Sequence, residues 1–344
     1  MSGGAKRLIE TVTLGQAKAL VRAMAHDQSL LLLSAPGAGK SDMVAQAAAE
    51  AGLPCRSLLG TQIAPEDVSG IPRIVGERSV FCPPRVLLPE RPEPFCLFLD
   101  ELPACAPDVQ KAFYSLLLER RLGEHRLPAG TWVVAAGNRV EDRALVRGLS
   151  SALVNRVILL HVRVDLGEWL VWARANGVRG EIVSFLIFMP GALMKPVPAD
   201  PAPFSTPRAW ASLSRALDLA ERAGVLNDAT RRALAFGRVS PEDAAVFCVM
   251  AEHRLDGLRP AVDYVRDPAL LPADDAGRWF VLCRVREAAA AGELAALAGE
   301  TVGAFLMALP REHRFALLVD MVNVWGPLGA DEALLASLRE LTGP

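Results

Sequence analysis

The sequence predicts an α/β fold, a parallel sheet sandwiched by helices, followed by a region of helices alone. Short apolar runs such as Ser29–Leu33 (SLLLL) and Phe95–Leu99 (FCLFL) alternate with helical stretches as far as Asp165. Wholly apolar runs of this length are typical of strands that are buried on both faces of a parallel sheet. After Asp165 the pattern is purely helical, which predicts a change of architecture there.

Five strands are predicted in the first part of the chain: Ser29–Leu33, Cys55–Leu59, Phe95–Leu99, Thr131–Ala136 and Val157–Val164. Helices are expected before the first strand, at Thr13–Asp27 (with Thr13 as the cap), and between later strands, at Met43–Ala51 and Pro107–Arg120. This order is that of repeated βαβ units, whose strands pair in parallel. The segment 60–94 is rich in Pro, Gly, Arg and Glu, and we expect it to be irregular, with short extended pieces at Arg73–Val75 and Ser79–Phe81.

The second half of the chain is predicted to be helical. Helices are expected at Leu166–Ala175, Glu181–Met189, Pro207–Arg222, Asn227–Phe236, from the Ser240 cap to about Arg254, and at Gly277–Leu297, Thr301–Met307, Phe315–Val324 and Asp331–Leu341. A Pro-rich connector is expected at Ala192–Pro207 and a loop-rich stretch at Asp256–Asp275. We therefore predict three domains: an α/β core at 1–164, a helical lid at 165–224 and a helical extension at 225–344.

The segment from Ser34 to Ser41 reads SAPGAGKS and lies between an apolar strand and an alanine-rich helix. This strand–loop–helix order is what a phosphate-binding loop requires. Gly37 and Gly39 let backbone N–H groups approach phosphate. Lys40 supplies a positive charge for the β and γ phosphates, and Ser41 supplies a hydroxyl ligand for Mg²⁺. The predicted ligands are therefore ATP and Mg²⁺. The motif departs from its usual form at Ser34, which occupies the position of the first glycine.

Two carboxylates follow the strand Phe95–Leu99, at the edge where ligands bind in open parallel sheets. Asp100 is expected to hold Mg²⁺ opposite Ser41, and Glu101 to polarise the water that attacks the γ-phosphate. Asn138 follows the apolar strand TWVVAA, and its amide can orient that water. The predicted nucleotide-binding set is Pro36, Gly37, Ala38, Gly39, Lys40, Ser41 and Asp100.

Arg156, in the sequence LVNR, and Arg208, in STPR, are candidates to meet the charge that develops in the transition state. Arg208 opens a helix after Ser205 and Thr206, a cap-like pair. With Glu101 and Asn138, these two arginines complete the predicted catalytic set.

Composition limits the function further. The chain has 344 residues, 51% of them hydrophobic and 22% charged, so it can bury a large core. A net charge of −2 gives no indication of general nucleic-acid or membrane binding. The six cysteines form no CxxC pair, and we interpret them as small apolar residues in a reducing cytosol, not as zinc ligands or disulfides. No membrane-span-length apolar run or signal-peptide core is found, so we expect a cytoplasmic location.

The motifs occur in a familiar order: SAPGAGKS, FCLFLDE, VVAAGN, ALVNR and STPRA. Together they resemble the Walker A, Walker B, sensor-one, arginine-finger and sensor-two motifs of AAA+ ATPases. Within that superfamily the chain is most similar to MoxR-type proteins, in residues 59–72 and from Phe95 through the helix at 111–120. The resemblance covers residues 10–220, and 225–344 match no family that we can name.

The resemblance implies an AAA+ P-loop NTPase fold and a ring, usually a hexamer, with ATP at each subunit junction. Arg156 would be the finger that reaches the neighbour's γ-phosphate, and Arg208 the sensor-two arginine. Arg120, Arg121, Arg143 and Arg147 are further candidates for the junction. The family implies a remodelling or chaperone ATPase with a protein client or a von Willebrand factor A-domain partner. Segment 60–94 contains no obvious aromatic–hydrophobic pore pair, so threading of polypeptide does not follow.

Two other functions remain open from the sequence. A nucleotide-dependent switch or scaffold with low turnover would use the same phosphate loop, although it has no need of Glu101. A small-molecule phosphotransferase would need a substrate pocket with its own base, and Asn138, Arg156 and Arg208 would then be coincidental.

Overall fold

The computed structural model describes residues 9–85, 87–88, 93–122, 124–139, 149–252, 258–314 and 317. The chain divides into two units. The first consists of the described residues of Met1–Asn176, Met194–Leu213 and Arg238–Ser240, and the second of those of Gly177–Leu193, Ser214–Gly237 and Pro241–Pro344. The predicted division into 1–164, 165–224 and 225–344 stays a prediction.

The first unit is built on a six-stranded parallel sheet. The described strands of the chain are β1 (Thr11–Thr13), β2 (Leu30–Ser34), β3 (Cys55–Leu59), β4 (Ile71–Val75), β5 (Arg78–Cys82), β6 (Cys96–Asp100), β7 (Arg121–Leu122), β8 (His125–Arg126), β9 (Trp132–Asn138) and β10 (Ile158–Arg163). The central sheet has the order β1-β10-β2-β9-β6-β3, and every neighbouring pair runs in parallel. The five predicted strands are confirmed, and β1 was not predicted.

Helices cover both faces of this sheet. Those that begin in the first unit before residue 176 are α1 (Leu14–Met24), α2 (Lys40–Glu50), α3 (Pro65–Ser69), α4 (Pro107–Ala112), α5 (Tyr114–Glu119), α6 (Ser151–Val154) and α7 (Leu166–Ala175). Leu30 and Leu32 of β2 pack in one apolar cluster with α1 and α2, while Leu31 and Leu33 pack in another with α4 and α5. All of β2 is buried because successive residues point to opposite covered faces. The predicted fold class is confirmed.

Two predictions of local structure in the first unit need correction. The expected helix Pro107–Arg120 is interrupted at Phe113, whose amide donates to the carbonyl oxygen of Gln110, 3.2 Å away and only three residues back. The described residues of segment 60–94 are more regular than expected, since they include α3 and the antiparallel hairpin β4–β5. The two extended pieces that were predicted lie in that hairpin. The exposed apolar side chains of the hairpin do not alternate regularly with polar ones, so the sequence contains no period-2 pattern that would indicate paired strands there.

The described residues of the second unit form helices and the turns between them. The helices that follow α7 along the chain are α8 (Gly180–Phe188), α9 (Pro207–Arg222), α10 (Asp228–Phe236), α11 (Pro241–Glu252), α12 (Ala261–Arg266), α13 (Asp275–Ala290) and α14 (Gly299–Ala308). Within the unit, Arg179 pairs with Glu181, Asp218 and Glu221. Helix α12 lies where a loop-rich stretch was expected. The helices predicted at 315–324 and 331–341 lie outside the described residues, Leu317 excepted. No described helix is both long and apolar enough to span a bilayer.

Candidate nucleotide-binding site

The carboxyl ends of β2, β6 and β9 meet at one edge of the sheet. Ser34, the last residue of β2, is paired in register with Asn138, the last residue of β9. Asp100 ends β6, which is the next strand beyond β9. Because all three strands run in parallel, the loop after β2, the carboxylates after β6 and Asn138 lie together at the edge where open α/β sheets bind ligands.

The loop between β2 and α2 depends on two glycines in the left-handed region. Gly37 has φ +78° and Gly39 has φ +101°, values that side chains with a Cβ rarely adopt. Successive amides in such a turn point into one concavity, which suits an anion. Helix α2 begins directly afterwards at Lys40, so its partially positive N-terminal end faces the same side. The local geometry is that of a phosphate-binding loop.

Lys40 is buried against this loop, with 7% of its surface exposed. Its Nζ donates to Ser34 Oγ at 2.9 Å, to the Ser34 and Ala35 carbonyl oxygens at 3.3 and 3.4 Å, and to Asn138 Oδ1 at 3.3 Å. A lysine ammonium has three N–H donors and no acceptor, so a ring of oxygens is the environment that it needs when buried. Sequence reasoning took Ser34 only as a departure from the motif; in the structure its hydroxyl is a partner of the loop lysine.

Ser41 and Asp100 are brought together across the site. Ser41 Oγ donates to Asp100 Oδ2 at 2.9 Å, and Asp100 Oδ1 accepts from the Glu101 amide at 3.0 Å. A hydroxyl beside a carboxylate is an oxygen donor set of the kind that Mg²⁺ prefers, with one or two protein ligands and the rest from phosphate and water. The residues present therefore fit the ion that the fold implies.

Glu101 adopts a strained backbone conformation. Its φ is +57° and its ψ is +29°, the left-handed region, which costs a non-glycine residue of order 1 kcal/mol and is concentrated at functional sites. Its Oε2 accepts a hydrogen bond from Thr61 Oγ1 at 2.9 Å. Thr61 follows β3, the strand beside β6, so the two strands bring the hydroxyl to the carboxylate. No local signal in the sequence pointed to Thr61.

The loop also contacts the start of α9 inside the first unit. The Arg208 amide donates to the Gly37 carbonyl oxygen at 3.1 Å. A Cβ built on Gly37 would lie 2.6 Å from Thr206 Oγ1, and that hydroxyl already accepts from the Ala209 amide at 3.0 Å as a helix cap. The backbone of Arg208 therefore lies next to the phosphate loop, whereas its side chain is exposed.

Arg156 makes its contacts with a different set of residues. Its guanidinium lies 4.8 Å from the centre of the Tyr114 ring and donates to the Ala152 carbonyl oxygen at 2.7 Å. The Tyr114 hydroxyl is in turn 2.7 Å from Ser150 Oγ, the cap of α6. The stacking and the carbonyl hold the arginine in one orientation.

Among the other arginines considered for a subunit junction, Arg120 binds carbonyl oxygens within the first unit. Its guanidinium donates to the Thr131 and Ala25 carbonyl oxygens at 2.7 and 2.9 Å, and burial lowers its pKa from the ordinary value. Arg121 is partly buried at the start of β7. Arg143 and Arg147 lie outside the described residues.

A parallel sheet with a phosphate loop after β2, adjacent carboxylates after β6 and an asparagine ending β9 is the AAA+ P-loop NTPase fold. Residues 29–157 match the AAA domain of the dynein-related subfamily. No curated protein matches the chain.

Two solved structures give a sense of the fold's relatives. The Holliday junction branch migration motor RuvB of Thermotoga maritima is 16% identical, with 76% of this chain and 77% of that chain covered and a TM-score of 0.40. NtrX from Brucella abortus is 14% identical, with 97% and 69% covered and a TM-score of 0.39. Likenesses this distant do not bear on the function of this chain.

Proposed function

We propose that the chain binds ATP with Mg²⁺ and hydrolyses it. The observation that carries this proposal is the contact between Ser41 and Asp100, which sets a hydroxyl and a carboxylate side by side between the phosphate loop and Glu101. Nucleotide binding alone requires the loop and its lysine. Hydrolysis also requires a carboxylate beside the Mg²⁺ ligands, and Glu101, in its strained conformation, occupies that position.

Each residue has a role that follows from its position. The amides of Gly37 and Gly39 and the N-terminal end of α2 bind the phosphates, and Lys40 neutralises their charge. Ser41 and Asp100 would hold Mg²⁺, which when bound offsets negative charge on the phosphates. Glu101 accepts a proton from the attacking water, and Asn138 orients that water through its amide.

We further propose that the active form is a ring of identical subunits, a hexamer, in which Arg156 serves the neighbouring subunit's site. This is supported by the order of the five motifs and by the match to an AAA domain, which extends through Arg156 to Val157. A ring needs one surface that donates and another that accepts, repeated around an axis. An arginine that its own chain holds by stacking on Tyr114 suits a donating surface.

The proposed work is that of a MoxR-type remodelling or chaperone ATPase, acting in the cytoplasm on a protein client or a von Willebrand factor A-domain partner. This finer assignment is supported by the resemblance of residues 59–72 and 95–120 to that family. Fold alone does not identify a client.

The test compares two substitutions at the site. Lys40→Ala should abolish ATP binding by calorimetry, whereas Glu101→Gln should bind ATP and release phosphate at less than about a hundredth of the wild-type rate. Glu119→Gln, an exposed glutamate of α5, is the matched control. Full ATP binding by Lys40→Ala, or wild-type turnover by Glu101→Gln, contradicts the assignment. Mass measurement with a slowly hydrolysed ATP analogue tests the ring separately.

A further inference from the structure

Two of the six cysteines stand directly opposite each other in the central sheet. Cys55 is the first residue of β3, Cys96 is the first residue of β6, and the two are paired in the parallel register. Neighbouring strands lie about 4.8 Å apart. That spacing falls inside the range of about 4.4–6.8 Å over which Cα atoms can be joined by a disulfide. Cα separation across this pair is therefore compatible with a bond between the two sulfurs.

The two thiols differ in exposure. β3 is an edge strand of the sheet, and Cys55 is exposed there. Cys96 lies on the neighbouring inner strand and has no exposed surface. An oxidant in solution can therefore reach Cys55, whereas Cys96 is reached through Cys55.

The two thiols also affect each other's ionisation. Hydrogen bonding with Cys96 lowers the pKa of Cys55 to about 7, whereas hydrogen bonding with Cys55 and burial raise the pKa of Cys96. The thiolate is the nucleophilic form, so a lowered pKa favours reaction at Cys55 over a cysteine with an ordinary pKa. By contrast, burial raises the pKa of Cys105 to about 11 and also raises that of Cys248.

We propose that Cys55 and Cys96 form a peroxide-sensitive dithiol that closes reversibly to a disulfide. The Cys55 thiolate attacks one oxygen of a hydroperoxide, which breaks the O–O bond and gives a sulfenic acid and an alcohol or water. The Cys96 sulfur then attacks the Cys55 sulfur, loses its proton and expels the hydroxyl as water. In total, two thiols and one hydrogen peroxide give one disulfide and two waters, and a small-molecule dithiol reverses the change.

The bond would lie at the opposite end of the sheet from the nucleotide site. It would tie the edge strand β3 to β6 and close a loop that contains α3 and the β4–β5 hairpin. Closing such a loop restricts the unfolded chain, so the oxidised protein should unfold at a higher temperature than the reduced one. The proposal does not depend on ATP hydrolysis.

The test treats the reduced, full-length protein with hydrogen peroxide at neutral pH and maps its peptides without reduction. The expected product is a Cys55–Cys96 cross-linked peptide, a loss of two titratable thiols per chain, and full return of both thiols with dithiothreitol. In Cys96→Ala, Cys55 should be trapped by dimedone as a sulfenic acid with no disulfide. In Cys55→Ser, the Cys96 thiol should survive.

Cys82→Ala is the matched control, because Cys82 is another exposed cysteine of a strand. It should form the Cys55–Cys96 bond like the wild type. The proposal is overturned if wild-type Cys55 becomes sulfinic acid while Cys96 stays a free thiol, or if Cys82 is oxidised as fast as Cys55. Because Cys96→Ala changes a buried position, its fold is checked by circular dichroism, and Cys55→Ser gives the second readout at an exposed position.

Discussion

The ammonium of Lys40 lies 2.9 Å from the hydroxyl oxygen of Ser34, at the position where a phosphate loop usually has its first glycine. The hydroxyl in turn donates to the Ala35 carbonyl oxygen at 3.0 Å, and Ser34 is almost wholly buried. The serine therefore gives the loop lysine an acceptor that glycine does not have. A nucleotide phosphate would compete with this acceptor for Lys40.

Removing that hydroxyl should strengthen nucleotide binding. In Ser34→Ala the lysine loses one neutral acceptor of the nucleotide-free state, and hydrogen bonds to charged groups are worth about 1.5–3 kcal/mol. With the remaining oxygens still in place, we expect the ATP dissociation constant to fall about fivefold, roughly 1 kcal/mol. Calorimetric titration measures it, with Ser57→Ala on the exposed side of β3 as the control. Weaker binding would mean that Ser34 orients Lys40 in the nucleotide-bound state as well.

Gly37 should not tolerate a side chain. Gly37→Ala would meet both a left-handed backbone and Thr206 Oγ1 at 2.6 Å. Gly52 has a similar φ of +71°, and no atom of the described residues lies within 4 Å of a Cβ built there, so Gly52→Ala isolates the backbone cost. We expect Gly52→Ala to lower the free energy of unfolding by about 1 kcal/mol and Gly37→Ala by at least about 2 kcal/mol, measured by urea denaturation. Gly37→Ala should also lose ATP binding, and equal effects at the two sites would contradict the close approach to Thr206.

Thr61 should matter for turnover and not for binding. Thr61→Val keeps the shape of the side chain but removes the donor to Glu101 Oε2. Because a general base must be aimed at its water, we expect kcat to fall roughly tenfold while the ATP dissociation constant is unchanged. The same substitution in a Glu101→Gln background should have no further effect on kcat. An additional loss there would show that Thr61 acts elsewhere.

Arg156→Ala should leave ATP binding near normal and reduce hydrolysis by about 10³-fold, the lower end of what an arginine finger contributes. If the finger acts on the neighbouring subunit, mixing this variant with Lys40→Ala should partly restore phosphate release through mixed junctions. Arg126→Ala, an exposed arginine of β8, serves as the control. Failure of rescue at every mixing ratio would count against action between subunits.

Local patterns in the sequence were sufficient to predict most strands of the central sheet and the helices next to them. Apolar runs predicted β2, β6 and β9 because strands covered on both faces need uninterrupted apolar residues. The threonine cap was correctly assigned, and Thr13 Oγ1 accepts from the Gln16 amide at 3.2 Å. The glycines and Lys40 of the loop could also be identified, since a phosphate loop is a contiguous segment whose backbone conformation depends on its own residues.

The contacts that complete the site come from residues that are far apart in the chain. Lys40 and Asn138 are separated by 98 residues, and Thr61 and Glu101 by 40. Such pairs depend on which strands become neighbours and in what register, and neither periodicity nor a motif reports that. The same holds for Cys55 and Cys96, which the sequence presents as unrelated cysteines and the sheet places side by side. The sequence by itself predicted the features that one contiguous segment carries. The contacts between separate segments were decided by the tertiary structure, because they depend on which strands pair and in what register.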